Sequence, residues 1–442
     1  MDKRTTEELH RDLVVVGGGA AGVATAVTAA RQGLRVLLVE RYGFCGGGAV
    51  AGLSGTVCGL YAASDNQHAA PEQLVFGFAD EFTTRLSAAG GLAPPVRYGK
   101  TFTRVHDPLL WRATADALLM ESGAEVLFHA VATGVLMDSQ DSLEGIEVWT
   151  KQGPLRVRAR MVVDASGDAD LVAMAGLENF IGNEGRVQNP TMIFRINGVD
   201  TERFTATYGA DTIMPAAVSE LIQQANHSGA YVLPRAKIWL FRTTRPGELL
   251  CNCTRVIGRD GRELNTLLRE DFTEAETQGR LQAREYARFF RDHLAGCEAS
   301  YIDDMAPQVG VRQTRQLRGQ KILSNTDVLG ATKSADAIAR SPWPIELHSG
   351  EKPRVEWLLE DYYEVPLGCF IPRSGAGLLV AGRCLSAEHE AVASARVTAQ
   401  CFSYGHAIGH AATLALRENI ATADLRGEDV RLLLNREDAR LD

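Results

Sequence analysis

The chain has 442 residues, 45% of them hydrophobic and 23% charged, with a net charge of −9. That length suffices for two or three domains and a large core, and the balance is ordinary for a globular protein. The acidic excess, with no basic block, argues against a nucleic-acid or anionic-membrane partner, and no apolar run reaches the roughly 18–20 residues of a membrane span.

The N-terminus, MDKRTTEELHRD, lacks the apolar core of a signal peptide. The eight cysteines are scattered and form no C-x-x-C pair, which points to reduced thiols in a cytoplasmic protein.

The stretch from Asp12 to Glu40 carries the strongest signal. Apolar Leu13 to Val16 stops at glycines, a small-residue segment runs from Ala20 to about Gln32, Gly33 breaks it, and a second apolar run ends at Glu40. This is strand, turn, helix, strand. Gly17, Gly19 and Gly22 hold the G-x-G-x-x-G spacing between the first strand and the helix. The first permits the turn, the second admits a pyrophosphate, and the third lets helix pack on strand. The helix start around Ala20 and Ala21 offers N–H groups to phosphate, and Glu40 stands where an acid accepts ribose hydroxyls.

Next comes Arg41-Tyr42-Gly43-Phe44-Cys45-Gly46-Gly47-Gly48, read as backbone wrapped closely around a ligand. A helix is expected over 71–90, and another from the Asp107-Pro108 cap to about Glu121, stopping at Gly123. Short strands over 125–129, 133–137, 143–150 and 155–159 read as a hairpin-rich insertion, closed by a buried strand over 161–164. Residues 1–188 are expected to form the first part of a nucleotide-binding domain and 189–355 a second, α+β domain. Residues 356–442 return to the first domain with a strand ending at Val380 and a helix from 394–398 to Leu416. Gly405 and Gly409 in that helix suit close packing. The charged tail after Asn419 reads as peripheral.

Five motifs in order, the βαβ start with Glu40, Phe44-Cys45-Gly46-Gly47, Val163 to Asp170, Val309 to Arg315 and Leu379 to Cys384, resemble the FAD-dependent oxidoreductase family near the fumarate reductase and glutathione reductase flavoproteins. The resemblance covers nearly the whole chain. It implies an α/β fold, with a discontinuous Rossmann-like FAD-binding domain of the glutathione reductase type and an inserted α+β substrate or cap domain.

By that resemblance, Gly17, Gly19, Ala20, Ala21, Gly22 and Glu40 would hold the ADP half of FAD. Arg41, Cys45, Gly46 and Gly47 would lie along the phosphates and flavin, Val131 against adenine, and Gly167 with Asp168 near the ADP portion. Gly382 and Arg383 would approach the pyrophosphate and ribityl chain. Val397 to Ala399, opening the last helix, would aim N–H groups at the flavin N1/C2=O edge, stabilising its reduced form by about 0.3–2 kcal/mol. The chain carries no C-x4-C redox pair after Glu40 and no second nucleotide fingerprint. Neither disulfide reductase chemistry nor a dedicated NAD(P)H domain is expected.

Such an enzyme places a substrate C–H against flavin N5 and removes a proton. His389, between two acids after the returning strand, is a candidate base or a solvated loop histidine, and His348 is a catalytic candidate that could face the pocket from the second domain or be a buried, hydrogen-bonded histidine. Arg312 and Arg315, three apart, could grip a substrate carboxylate, pair with FAD phosphates or serve in a structural ion pair, and Arg396 has the same readings. His406 and His410 lie four apart on the last helix, but no third ligand is evident, so no metal is expected. The reading favoured is a dehydrogenase or oxidase of a small organic substrate. The alternatives are a monooxygenase reduced by NAD(P)H and a non-catalytic flavin-binding scaffold or redox sensor.

Overall fold

The structure, a computed structural model, describes residues 7–139, 142–348 and 353–442. Its centre is a seven-stranded sheet. Glu7–Val16 lies between Val36–Val39 and Gly153–Asp164, parallel to both, and Glu125–Leu127 extends the sheet beyond Val36–Val39. Leu13, Val14 and Val15 are fully buried, as a parallel strand covered on both faces requires. The 12-residue strand Gly153–Asp164 replaces the two short strands expected there. Its first half pairs antiparallel with Leu143–Thr150, and its end pairs parallel with Leu378–Val380. The expected hairpin insertion therefore continues the main sheet, with Val131–Met137 at its edge.

Parallel pairing brings the C-terminal ends Val16, Val39, Asp164 and Val380 to one side of the sheet. Ligands of open α/β sheets bind outside such ends. Helix Ala20–Arg31 starts there, and helix Thr398–Glu418 crosses it at close range. A Cβ on Gly405 would lie 2.1 Å from the Ala21 carbonyl oxygen, and one on Gly409 2.7 Å from Thr28 Cβ. Only glycine allows that approach, and Thr25 Oγ1 donates to the Gly405 carbonyl across it at 3.1 Å.

A second core gathers buried residues from Met192 to Val309 with Leu53, Tyr98, Val105 and Trp343. It sits beneath a four-stranded antiparallel sheet ordered Trp239–Arg242, Leu249–Asn252, Phe194–Asn197, Tyr301–Met305. Helix Arg269–His293 buries Tyr286, Phe289 and Phe290 in the same core. Leu317, Leu323, Val328, Ile338, Ala339, Ile345 and Leu347 pack on the first core instead.

Two expectations are corrected. The helix placed over 71–90 spans only Phe78–Ala88, because Gly77 at φ +66° breaks it and the preceding chain pairs with Leu60 and Tyr61. The tail is not peripheral: helix Gly427–Arg436 buries Val430 and Leu434 in the first core, and Leu441 joins them.

Candidate functional site

One cavity of about 360 Å³ opens at the C-terminal ends of the parallel strands, within the size range of small-molecule sites. It runs from the glycine turn to a pocket walled by the second core.

The glycines divide by task. A Cβ on Gly17 would lie 2.4 Å from the Ala165 carbonyl oxygen, and one on Gly22 1.8 Å from that of Gly17. These two glycines let strand, turn and helix close on one another. A Cβ on Gly19 would meet nothing nearer than 3.9 Å, and one on Gly48 nothing within 4 Å, and both residues line the cavity. The cradle is thus open where a bound pyrophosphate needs bare backbone. Ala20, Ala21, Arg41, Gly46, Gly47, Val131, Gly167, Gly382, Arg383 and Val397 join Gly17 and Gly19 in its walls. This set, a helix start, glycine backbone and two arginines, offers the N–H groups and positive charge that suit a bound pyrophosphate.

Glu40 also lines the cavity but is engaged from within. Its Oε2 accepts the Gly18 N–H at 2.6 Å and its Oε1 the Tyr42 N–H at 2.8 Å. Burial raises its pKa, and those two N–H groups oppose the rise. Each oxygen keeps a second lone pair for a ribose hydroxyl.

Asp164, at the end of its strand, organises the next turn. One oxygen accepts from Ser166 N and Oγ, the other from Leu171 N and Val172 N. This role was missed in the sequence, although a buried acid at a strand end before Ser-Gly-Asp was its signal.

Several expected contacts fall elsewhere. Gly22 is a packing residue and does not reach the cavity wall. Cys45 lies under the turn, where a Cβ on Gly18 would be 2.8 Å from its Sγ, and burial pushes its thiol well above the usual range. Asp168 accepts from Thr314 Oγ1 at 2.6 Å and Arg383 at 2.9 Å, tying the Val309–Arg315 motif to the returning strand. Burial works to raise its pKa, yet Arg383 and Thr314 bring it below the usual carboxylate value. The Ala399 N–H is taken by the Cys58 carbonyl at 3.1 Å, so the last helix meets the cavity through Val397 and Thr398.

His389 is not among the cavity walls. Its segment pairs with Leu323, and its ring lies against the Gly182 turn, where a Cβ on Gly182 would be 3.4 Å from Nδ1. Arg315 is not among the cavity walls; it is held by the Asp168 carbonyl and by Asp170, which does line the cavity. His406 and His410 do have a third partner, Glu437, at 2.7 and 3.4 Å. The Phe78 N–H points at His406 Nδ1, which puts the ring proton on Nε2 toward that carboxylate. The His406 hydrogen bond to Glu437, with His410 close by, clamps helix Thr398–Glu418 to the end of helix Gly427–Arg436.

Arg312 and His348 do reach the cavity, beside Tyr98, Trp343, Glu346 and Arg396. Glu346 accepts from the Tyr98 hydroxyl at 2.7 Å and lies 3.2 Å from His348 Nε2. Burial alone would raise the Glu346 pKa, but His348, Tyr98 and Arg396 hold it at about 2. Burial, then the Arg312 charge, lower His348 to about 3. Since ionised Glu346 only accepts, His348 donates from Nε2 and keeps the lone pair on Nδ1. Arg312 donates to the Asn189 carbonyl at 2.7 Å. Tyr98, Trp343 and Glu346 carried no motif and were not singled out in the sequence.

Comparison with known proteins agrees with this geometry. The sequence model of the family described as FAD dependent oxidoreductase matches residues 12–434. Thiamine thiazole synthase of Aeropyrum pernix is 28% identical over 225 residues, 49% of this chain and 76% of that protein. Sarcosine oxidase subunit alpha of Rhizobium meliloti is 33% identical over 124 residues, 26% of this chain and 12% of that protein. The crystal structure of a geranylgeranyl bacteriochlorophyll reductase-like protein from Thermoplasma acidophilum has the same fold, with a TM-score of 0.51 at 15% identity over 97% of this chain and 84% of that one. With the glycine cradle, the strand-end cavity and a family match from Asp12 to Leu434, this chain belongs to the FAD dependent oxidoreductase family.

Proposed function

We propose that this enzyme oxidises a small organic molecule by hydride removal, with His348 as the proton acceptor and Arg312 as part of the substrate seat. One observation carries the reading: a single cavity joins the glycine cradle to a pocket where a buried histidine and an ionised glutamate stand 3.2 Å apart. FAD, when bound, supplies the hydride acceptor at N5.

The chain's own part is positioning and proton handling. Glu346 fixes the His348 tautomer and would pair with the imidazolium once His348 takes a proton. The Tyr98 hydroxyl keeps Glu346 ionised and in place. Phe241, Trp343 and Tyr98 wall the pocket with apolar surface, which strengthens the charged contacts inside it.

Anaerobic titration of the yellow protein with candidate substrates tests this. Substrate alone is expected to bleach the flavin absorbance, and far more slowly in His348→Gln. Bleaching that needs NADPH favours a monooxygenase instead. A protein that no reductant cycles is a flavin-binding scaffold or sensor.

A further inference from the structure

Three arginines, Arg235 and Arg312 buried and Arg396 half-buried, stand at the far end of the cavity, with Glu346 among them as the one acid of the described residues. Arg312 and Arg396 line it, and Arg235 stands behind, packed 4.0 Å over the Trp239 ring and donating to Asn252, which lines the cavity. Arg235 is 2% exposed and Arg312 7%. Burial lowers the pKa of all three, and Arg235 and Arg396 each depress Arg312 further. Guanidinium stays protonated even so. Glu346 is the acid that all three feel. With His348 neutral, three positive charges face one negative charge among the described residues here.

Such an excess is costly to bury unless something balances it. Donors are also left over: Arg396 Nε, a terminal nitrogen of Arg235 and Trp343 Nε1 are buried without a hydrogen-bond partner among the described residues. The apolar walls are aromatic, with Tyr98 centred 5.2 Å from Trp343 and 6.2 Å from Phe241. A guanidinium fork beside flat apolar walls matches an oxyanion carried on a hydrocarbon body.

We infer that the substrate is an organic carboxylate, its carboxylate seated on Arg312 and Arg396 and its apolar body against Tyr98, Phe241 and Trp343. The inference rests on the oxidoreductase reading for the cofactor beside the pocket, and it deepens that reading by naming the substrate class. It also assigns a consequence to binding. A carboxylate beside Arg312 offsets the positive charge that depresses His348, so the bound substrate makes that base more basic.

The test is equilibrium binding to FAD-loaded protein, read by the flavin absorbance shift and by calorimetry. The probes are acetate, butyrate and phenylacetate, each against its amide, with phenethylamine as the cation. Phenylacetate is expected to bind tightest, at least ~30-fold more tightly than phenylacetamide. Arg312→Met should erase that preference, Arg312→Lys should restore part of it, and Glu346→Gln should tighten the carboxylate. Thermal unfolding of each variant checks its fold, with Arg396→Met as a second variant should Arg312→Met fail to fold. Carboxylate and amide binding alike, phenethylamine binding best, or no carboxylate binding by protein with a full flavin spectrum would each overturn the inference. A purified, folded protein with no flavin would instead overturn the cofactor reading, so the two failures are distinct.

Discussion

The two ends of the cavity are built from different materials. The cradle end is backbone: Gly17 and Gly22 let the first strand and helix close, and Gly19 and Gly48 leave bare space. These four glycines lie close together in sequence. The pocket end is side chains, Tyr98, Arg312, Trp343, Glu346, His348 and Arg396, from segments up to 298 residues apart (396 − 98). The first end depends on the absence of atoms and the second on charge placement. They should therefore break in different ways.

The largest effect belongs to the cradle. In Gly22→Val a Cβ would fall 1.8 Å from the Gly17 carbonyl oxygen, and no rotamer relieves a clash made by Cβ itself. The expected cost is more than about 4 kcal/mol, with loss of the folded, FAD-bound chain, read as flavin per protein and by thermal unfolding. A variant that kept its flavin and its melting temperature would refute the division of glycine roles.

The next effect belongs to the pocket and leaves shape intact. Glu346→Gln keeps an oxygen for the Tyr98 hydroxyl but removes the negative charge among three arginines. Removing one partner of a buried ion cluster costs about 3 kcal/mol. The loss should appear in denaturant unfolding of the ligand-free protein and shrink when phenylacetate is added. Equal stability of variant and wild type would mean that the arginines do not depend on Glu346.

This contrast explains what could be read from the sequence. The glycine turn of the cradle was legible because Gly17, Gly19 and Gly22 are near neighbours and their spacing is itself the geometry. Gly405 and Gly409 were legible for the same reason, as small residues one helical turn apart facing another helix. Arg312 and His348 were singled out by residue type, whereas Tyr98 and Trp343 are ordinary aromatics until the fold brings them beside Glu346. His389 misled because a loop after the returning strand borders the flavin in related folds, yet here Ala387 and Glu388 pair with Leu323 and turn its ring away. Glu437 was hidden because a histidine pair on one helix gives no hint of which distant acid returns to it.

A smaller effect concerns the histidine between the two cores. His106 is fully buried, both ring nitrogens lack partners among the described residues, and its ring packs tilted against Trp111 with centroids 4.5 Å apart. Burial and then Arg195 lower its pKa to about 3, against 6.5 for the free side chain. The unfolded chain takes up that proton first. Stability is therefore complete above pH 6.5 and is lost as pH falls toward 3, at up to ~1.4 kcal/mol per pH unit. His348, also near 3, adds a similar slope. In His106→Phe the shape is kept and the orphaned nitrogens are gone. Its stability should match or exceed wild type at neutral pH and fall less steeply between pH 6.5 and 4. Parallel curves for variant and wild type would place the acid sensitivity elsewhere.

The smallest expected effect is the sharpest check on where the chemistry sits. His389 is half-buried against the Gly182 turn, and its contacts are a carbonyl accepting from Gln188 and the fields of Glu390, Arg186 and Glu263. None of these reaches the cavity. His389→Ala should change stability by less than about 0.5 kcal/mol and leave the rate of substrate-driven flavin bleaching within about twofold of wild type, a change of ~0.4 kcal/mol in barrier. His348→Gln keeps a polar group beside Glu346 but loses the basic nitrogen, and general-base removal slows such steps by roughly 10²–10⁴-fold. If the two variants exchanged behaviour, the base would lie on the returning segment after all, and the cavity's far wall would serve only to hold the substrate.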